Sequence, residues 1–451
     1  MRTREFPVLS EEDEPLVARL SLGLGDDAAR VLAYLLRRDE DPSVADEPAV
    51  KLAIRVGTEA NLTAVSNGLD RLESRGLVVR TTADADRGRP PNAWKPRTGA
   101  DAAIRRADGA HAASLLRQAA SVAAELGSSD LPAELPTAFD DPPSERPAGA
   151  PRRPSGERGP SDARASFRVG LNWFPNALHA PLFAALAAGH YDGRGLDAEV
   201  VTFPGSDRAV EALADGDADV VVSGAATIAR GRAADGSLVP LAPLYQRAMT
   251  VLYATREAFG GPLDDVESLR GRRVGMPVDA ETGVLGRLFL SQSGVVDDVT
   301  LVDLSGEEDD ALRAGRADVV TGTIRDPRQL DAAGETVDVL PVADHFPIYG
   351  PTLATTERVV DERPDALAAF LAGTVAGWAD AVSDPVAAVR SVEGRDGPPV
   401  ERAADDFARA ADRFGSSAAV TDRGWGWHDA DGWRRLTTAL AQGGLVEGAS
   451  G

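Results

Sequence analysis

Two ten-residue stretches lying roughly 100 residues apart carry one pattern. Ala212-Leu213-Ala214-Asp215-Gly216-Asp217-Ala218-Asp219-Val220-Val221 is matched by Ala311-Leu312-Arg313-Ala314-Gly315-Arg316-Ala317-Asp318-Val319-Val320. Each reads as a helix end, a glycine past the last turn, and a buried strand. A second pair, Arg168-Val169-Gly170-Leu171 and Arg273-Val274-Gly275-Met276, reads as a strand entering a polar loop and then a helix. A repeat of this kind commits residues 166–451 to α/β architecture. It predicts two similar lobes facing each other across a cleft, with ligand at the carboxyl ends of the strands. The plainer reading is two α/β domains with ordinary connecting loops.

Composition separates this region from what precedes it. Residues 128–165 hold eight prolines and little hydrophobicity, so they read as a disordered linker that burial cannot order. Residues 1–98 are compact. Asp26 and Asp27 open a helix through Leu36, a second runs near 49–56 and ends at Gly57, and a third carries Leu62, Val65, Leu69 and Leu72 on one face before Gly76. Two short strands, 77–80 and 92–95, follow around an arginine-rich turn. Three helices and a β-hairpin resemble a winged helix-turn-helix. The stretch NLTAVSNGLDRLESRGLVVRTTADADRGRPPNAWKP resembles the recognition helix and wing of archaeal and bacterial regulators.

The chain carries 48 basic and 71 acidic residues, a net −23, and Lys51 and Lys95 are its only lysines. Arginine standing in for lysine within an acidic chain suggests a salt-loving source, where screening makes −23 weak evidence for any partner. Residues 51–106 are nonetheless a basic island of net +5, a footprint suited to phosphate contacts. The predicted readers of double-stranded DNA are Thr63, Ser66, Asn67 and Arg71 on the third helix, with Arg87, Arg89 and Lys95 in the wing. The competing reading is a winged helix that docks on protein. Residues 99–127 form one alanine-rich helix whose stripe, Ile104, His111, Leu115, Ala119, Val122 and Leu126, suits a homodimer seam or packing against its own domain.

In the second unit the four strand-end loops are the candidate ligand site. They supply Asn172, Trp173 and Asn176, then Ser223, Gly224 and Thr227, then Asp279, Thr282 and Gly283, and finally 321–325. A flat heterocycle could stack on Trp173 and bond to Asn172 and Asn176, with His179 as a further donor. An anionic group could sit at the helix starts after Ser223 or Thr282. A core role for Trp173 competes with this, and the later Trp425, Trp427 and Trp433 read as C-terminal packing.

The segments LNWFPNALHAPLFAALAAGHYDGRGLDAEVV, LADGDADVVVSGAATIARGR, LRGRRVGMPVDAETGVLGRLFL and GWGWHDADGWRRLTTALAQGGLV together resemble the thiamine-pyrimidine precursor synthases and their transport-binding relatives. The resemblance spans about 166–447 and implies the two-lobed type II periplasmic binding-protein fold. Synthase members use a lysine to hold pyridoxal phosphate and consume a histidine. Residues 166–451 contain no lysine, and arginine cannot form a Schiff base, so no enzyme, cofactor or metal site is expected. Cysteine is absent, the amino terminus has no apolar h-region, and no later stretch approaches 18 apolar residues, which predicts a cytoplasmic protein without membrane contact. With a winged helix attached, the reading is a haloarchaeal-type, ligand-responsive DNA-binding regulator. Lobes would close about hinges near Thr250–Thr255 and Thr352–Thr356 and respace two winged helices. A solute-binding protein of a pyrimidine or sulfonate uptake system is the alternative.

Overall fold

The computed structural model describes residues 8–44, 47–84, 89–127, 131, 135, 164–304, 306–392, 394 and 397–446. Most of the proline-rich segment therefore lies outside the described residues, as does Arg87.

The amino-terminal unit opens with α1 (Glu14–Leu24), which the sequence reading missed although Val17, Leu20 and Leu24 fall on one buried face. Then follow α2 (Asp26–Glu40), the two-residue strand β1 (Ala49–Val50), α3 (Lys51–Thr58) and α4 (Leu62–Ser74). Asn61 caps α4, its side chain accepting from Ala64 N at 2.9 Å. Strands β2 (Val78–Thr82) and β3 (Asn92–Pro96) pair antiparallel, and β1 adds on the far side of β3. The expected second helix thus begins two residues late, after a strand. Gly57 does not end it either: a Cβ there would lie 1.9 Å from the Tyr34 ring, so the glycine serves close packing.

Helix α5 (Ala100–Glu125) leads out of this unit. The sequence left its apolar stripe open to a second copy. In the structure His111, Leu115, Ala119 and Val122 are all buried within the chain, between α1 on one side and the α/β unit on the other. The homodimer seam is corrected accordingly: its surface is already used.

The first lobe contains β4 (Ala165–Leu171), α6 (Ala180–Ala187), β5 (Leu196–Thr202), α7 (Ser206–Ala214), β6 (Val220–Ser223), α8 (Ala225–Asp235) and β7 (Leu238–Pro243). The chain then crosses over. The second lobe contains β8 (Thr250–Thr255), α9 (Arg256–Phe259), β9 (Arg273–Met276), α10 (Glu281–Gln292), β10 (Thr300–Asp303), α11 (Glu308–Arg313), β11 (Val319–Thr323), α12 (Pro327–Ala332) and β12 (Val337–Pro341). It returns through β13 (Thr352–Thr356), which joins the first sheet. The sheet orders are β5-β4-β6-β13-β7 and β10-β9-β11-β8-β12. In each sheet four strands run in one direction, and the strand arriving from the other lobe runs antiparallel to its neighbours. The two crossings lie side by side, with Leu244 N bonded to Pro351 O at 2.9 Å and Gly350 N to Tyr245 O at 3.0 Å. Each of those segments directly precedes one of the expected hinge strands.

The sequence repeat has one structural cause. Asp219 accepts the backbone N–H of Arg168 at 2.7 Å, and Asp318 accepts that of Arg273 at 2.8 Å. The Arg273 side chain also reaches Gly315 O, as the Arg168 side chain reaches Gly216 O. Both glycines have positive φ, 76° and 63°. An aspartate just ahead of β6 thus pins β4, and the matching aspartate ahead of β11 pins β9, each through the backbone N–H of the matching arginine.

The chain ends in α13 (Glu357–Glu362), α14 (Pro364–Ser383), α15 (Pro385–Arg390), α16 (Val400–Phe414), α17 (Ala418–Arg423) and α18 (Ala430–Gln442). By length and composition α14 could cross a membrane, contrary to the sequence expectation, yet it is mostly buried inside the first lobe. Phe370 on it stacks between Phe167 and Tyr191, with centroids at 5.1 and 5.4 Å. A Cβ at Gly377 would lie 2.3 Å from Pro181 O, so α14 and α6 touch backbone to backbone.

Candidate functional site

The loops after β4, β6, β9 and β11 meet across the lobes, as the repeat implies. Trp173 and Phe174 stand on the first lobe, 55% and 60% exposed and edge to face at 5.8 Å. The core alternative for Trp173 is thus excluded. Asn176 is nearly buried and caps the turn after it: Oδ1 accepts from Leu178 N and Nδ2 donates to Phe174 O, both at 3.0 Å. Its amide holds the loop rather than facing the cleft freely.

Ser206, which the sequence reading overlooked, gathers three expected residues. Its hydroxyl accepts from Asn172 Nδ2 at 3.0 Å and from Gly224 N at 3.2 Å, and its carbonyl accepts from Ser223 Oγ at 3.4 Å. Thr227 bonds instead to Glu281 of the opposite lobe. Asp279 is exposed and Thr282 half-buried. Gly283 is buried for a steric reason, since a Cβ there would lie 1.6 Å from Pro277 O.

His179 is buried, and its Nδ1 has no hydrogen-bond partner. Burial, and then the positive charge of Arg325, bring its pKa down to about 4, so at neutral pH the ring is uncharged. Arg325 belongs to the loop after β11, and its Nε is likewise buried without a partner. Two polar groups from opposite lobes, His179 Nδ1 and Arg325 Nε, thus remain unsatisfied in the loops after β4 and β11. Among the described residues no cluster of three His, Asp or Glu side chains could hold a metal.

The expected DNA-reading residues divide. Thr63, Asn67, Arg89 and Lys95 are exposed. Ser66 Oγ donates to Leu62 O and accepts from Lys51 Nζ, each at 2.9 Å. Arg71 turns inward, donating to Leu24 O at 2.6 Å and to the backbone carbonyl of Asp422. Arg75 donates to Gly23 O, and Trp425 N to Leu22 O at 2.8 Å. The last carbonyls of α1, left open by helix geometry, are thus satisfied by α4 and by the carboxyl-terminal segment. Burial, then the nearby guanidiniums of Arg71, Arg117 and Arg423, lower Arg75 to about 10. Part of the basic island is therefore used to dock the two units together, which charge counting along the sequence could not reveal.

Residues 176–388 match the family described as NMT1/THI5 like. The match covers under half of the chain, and with the two-sheet topology it shows an NMT1/THI5-like domain in the two-lobed unit. A formylaminopyrimidine-binding protein of Halalkalibacterium halodurans is 26% identical over 230 residues, covering 50% of this chain and 68% of that protein. The riboflavin-binding protein RibY of Chloroflexus aurantiacus is 27% identical over 230 residues, covering 48% and 62%. Among solved structures, the alkanesulfonate-binding protein SsuA of Xanthomonas axonopodis pv. citri, bound to MOPS, aligns at 18% identity and TM-score 0.47, over 63% of this chain and 95% of that one. The periplasmic aliphatic sulphonate binding protein SsuA of Escherichia coli aligns at 18% and 0.48, over 63% and 94%.

These findings overturn the expectation of a cytoplasmic, DNA-binding transcriptional regulator. The curated relatives carry the names of solute-binding proteins, and the family match falls in the two-lobed unit. Arg71, chosen as a base reader, is spent on the inter-unit contact.

Proposed function

We propose that this chain is a solute-binding protein that closes its lobes on a small planar heterocycle of the pyrimidine type, on behalf of an uptake system. The observation that carries the reading is the exposed Trp173 in the loop after β4, with the unsatisfied Nδ1 of His179 on that same segment facing the charge of Arg325 from the second lobe. The ring of the solute stacks on Trp173. Neutral His179 and the free Oδ1 of Asn172 fix its in-plane orientation, and Arg325 arrives from the second lobe on closure. Asp279 and Thr282 line the same loop. The names of the curated relatives support the chemical class. The reading assigns no chemical step to the cleft, consistent with the absence of lysine from residues 166–451.

The amino-terminal unit is read as a winged helix that docks on protein, from its helix order and its three-stranded antiparallel sheet. Arg71 and Arg75 support the docking role through their bonds to α1 and the carboxyl-terminal segment.

Tryptophan fluorescence on titration with hydroxymethylpyrimidine and formylaminopyrimidine tests the ligand reading. Saturable quenching is expected. Trp173→Ala should weaken binding by about ten- to hundredfold, as the lost apolar burial adds to a stacking contribution of ~0.5–1.5 kcal/mol. Equal affinity in the variant would move the site elsewhere.

A further inference from the structure

Glu281 is the first residue of α10 in the second lobe, yet its carboxylate rests on the first. Oε1 accepts from Ala226 N at 2.9 Å, while Oε2 accepts from Thr227 N at 2.9 Å and from Thr227 Oγ1 at 2.8 Å. These donors form the first turn of α8, where backbone N–H groups lack intrahelical partners and the helix dipole is positive. An oxyanion on a solute would seek the same place.

The sequence makes room for this contact. A Cβ at Gly224 would lie 2.1 Å from Glu281 Cδ. Gly224 has φ −65° and ψ 145°, a conformation open to any residue, so the glycine is required by the approach of the carboxylate and not by the backbone. The surroundings are acidic as well. Asp207 on the first lobe feels the charges of both Asp279 and Glu281 of the second, and Arg230 is its partner at 3.8 Å. A solute anion entering here must break three hydrogen bonds and leave the displaced Glu281 beside two other carboxylates.

We propose that Glu281 is a specificity-determining residue: it occupies the amino end of α8 with the protein's own carboxylate, so the cleft closes on solutes that carry no oxyanion at that end. This rests on the solute-binding reading and deepens it, separating a flat neutral ring from a sulfonate or phosphate. Glu281 also joins the lobes, so its contact exists only when they are closed.

The experiment uses the full chain, with formate and methanesulfonate as probes, read by calorimetry and by small-angle scattering for lobe closure. The wild type should show no saturable response to either anion in the millimolar range. Glu281→Ala should be more open, should bind both at least tenfold more tightly than the wild type, and should regain the compact form as formate fills the vacated position. Glu281→Gln keeps the shape without the charge and should fall between the two. Submillimolar anion binding by the wild type overturns the proposal, as do Ala and Gln variants that respond no more than the wild type. No heterocycle bound by the wild type, with anions captured by Glu281→Ala, would reject the solute class while leaving this role of Glu281 standing.

Discussion

Asp108→Ala should cost about 3–5 kcal/mol of folding stability, the range expected when one partner of a buried ion pair is removed. Asp108 is 1% exposed on α5 and takes a bidentate fork from Arg19 of α1, at 2.9 and 2.6 Å. Arg194 of the first lobe, itself buried, approaches the same carboxylate at 3.7 Å. One carboxylate therefore joins the amino-terminal unit, the connecting helix and the lobe. Removing it takes from both guanidiniums the carboxylate they share, although Arg194 keeps its bond to His190 O at 2.9 Å and Arg19 the more distant charge of Asp380. Urea unfolding at pH 7.5 should show a lowered midpoint for Asp108→Ala, with Asp108→Asn also destabilised because it keeps the shape and loses the charge. A double variant, Asp108→Leu with Arg19→Met, should recover much of the loss. An unchanged midpoint in Asp108→Ala would show that the pair contributes nothing net.

The second large effect is with pH. His111, His179 and His428 are all buried, and burial is the first cause that lowers them, to about 3, 4 and 4. For His428 the neutral form is fixed by its partners: Trp433 Nε1 donates to its Nδ1 at 3.0 Å, leaving Nε2–H for Leu241 O at 3.1 Å. A histidine whose folded pKa lies below its unfolded value binds fewer protons when folded. Its stabilising effect is whole above the unfolded value of about 6.5 and is lost as pH falls toward the folded one. Three such groups contribute a slope of up to about 4 kcal/mol per pH unit within that window. Asp26, Asp207, Glu281 and Asp326, raised first by burial, act in the opposite sense and reduce it. Stability measured by urea should therefore fall between pH 7 and pH 5, and His179→Gln should flatten the decline. Constant or rising stability over that interval would contradict the assignment of three neutral buried histidines.

Parts of this molecule were legible in one dimension because their causes are local. The glycines at 216 and 315 follow helix ends, and the aspartates three residues on hold β4 and β9, so the two lobes could be read from spacing alone. Helix α4 was legible from its apolar face and the hairpin from its turn. Exposure of Trp173 followed from its place in a polar loop at a strand end. By contrast, Asn176 looked like a ligand contact because a free asparagine and a capping asparagine are the same letter. The alanine-rich α5 looked like a dimer seam because an apolar stripe does not say which surface it covers.

The sequence by itself determined the α/β repeat, the separate helical unit and the strand-end loops that carry the candidate site, since periodicity and chain reversal act over a few residues. Only the tertiary structure decided what meets across long separations. It turned Arg71 toward the carbonyl of Asp422, 351 residues away, and placed Glu281 on the first turn of α8. Both outcomes depend on where rigid elements land after packing, and a carboxylate or guanidinium of this reach takes whichever unsatisfied backbone groups the fold brings to it.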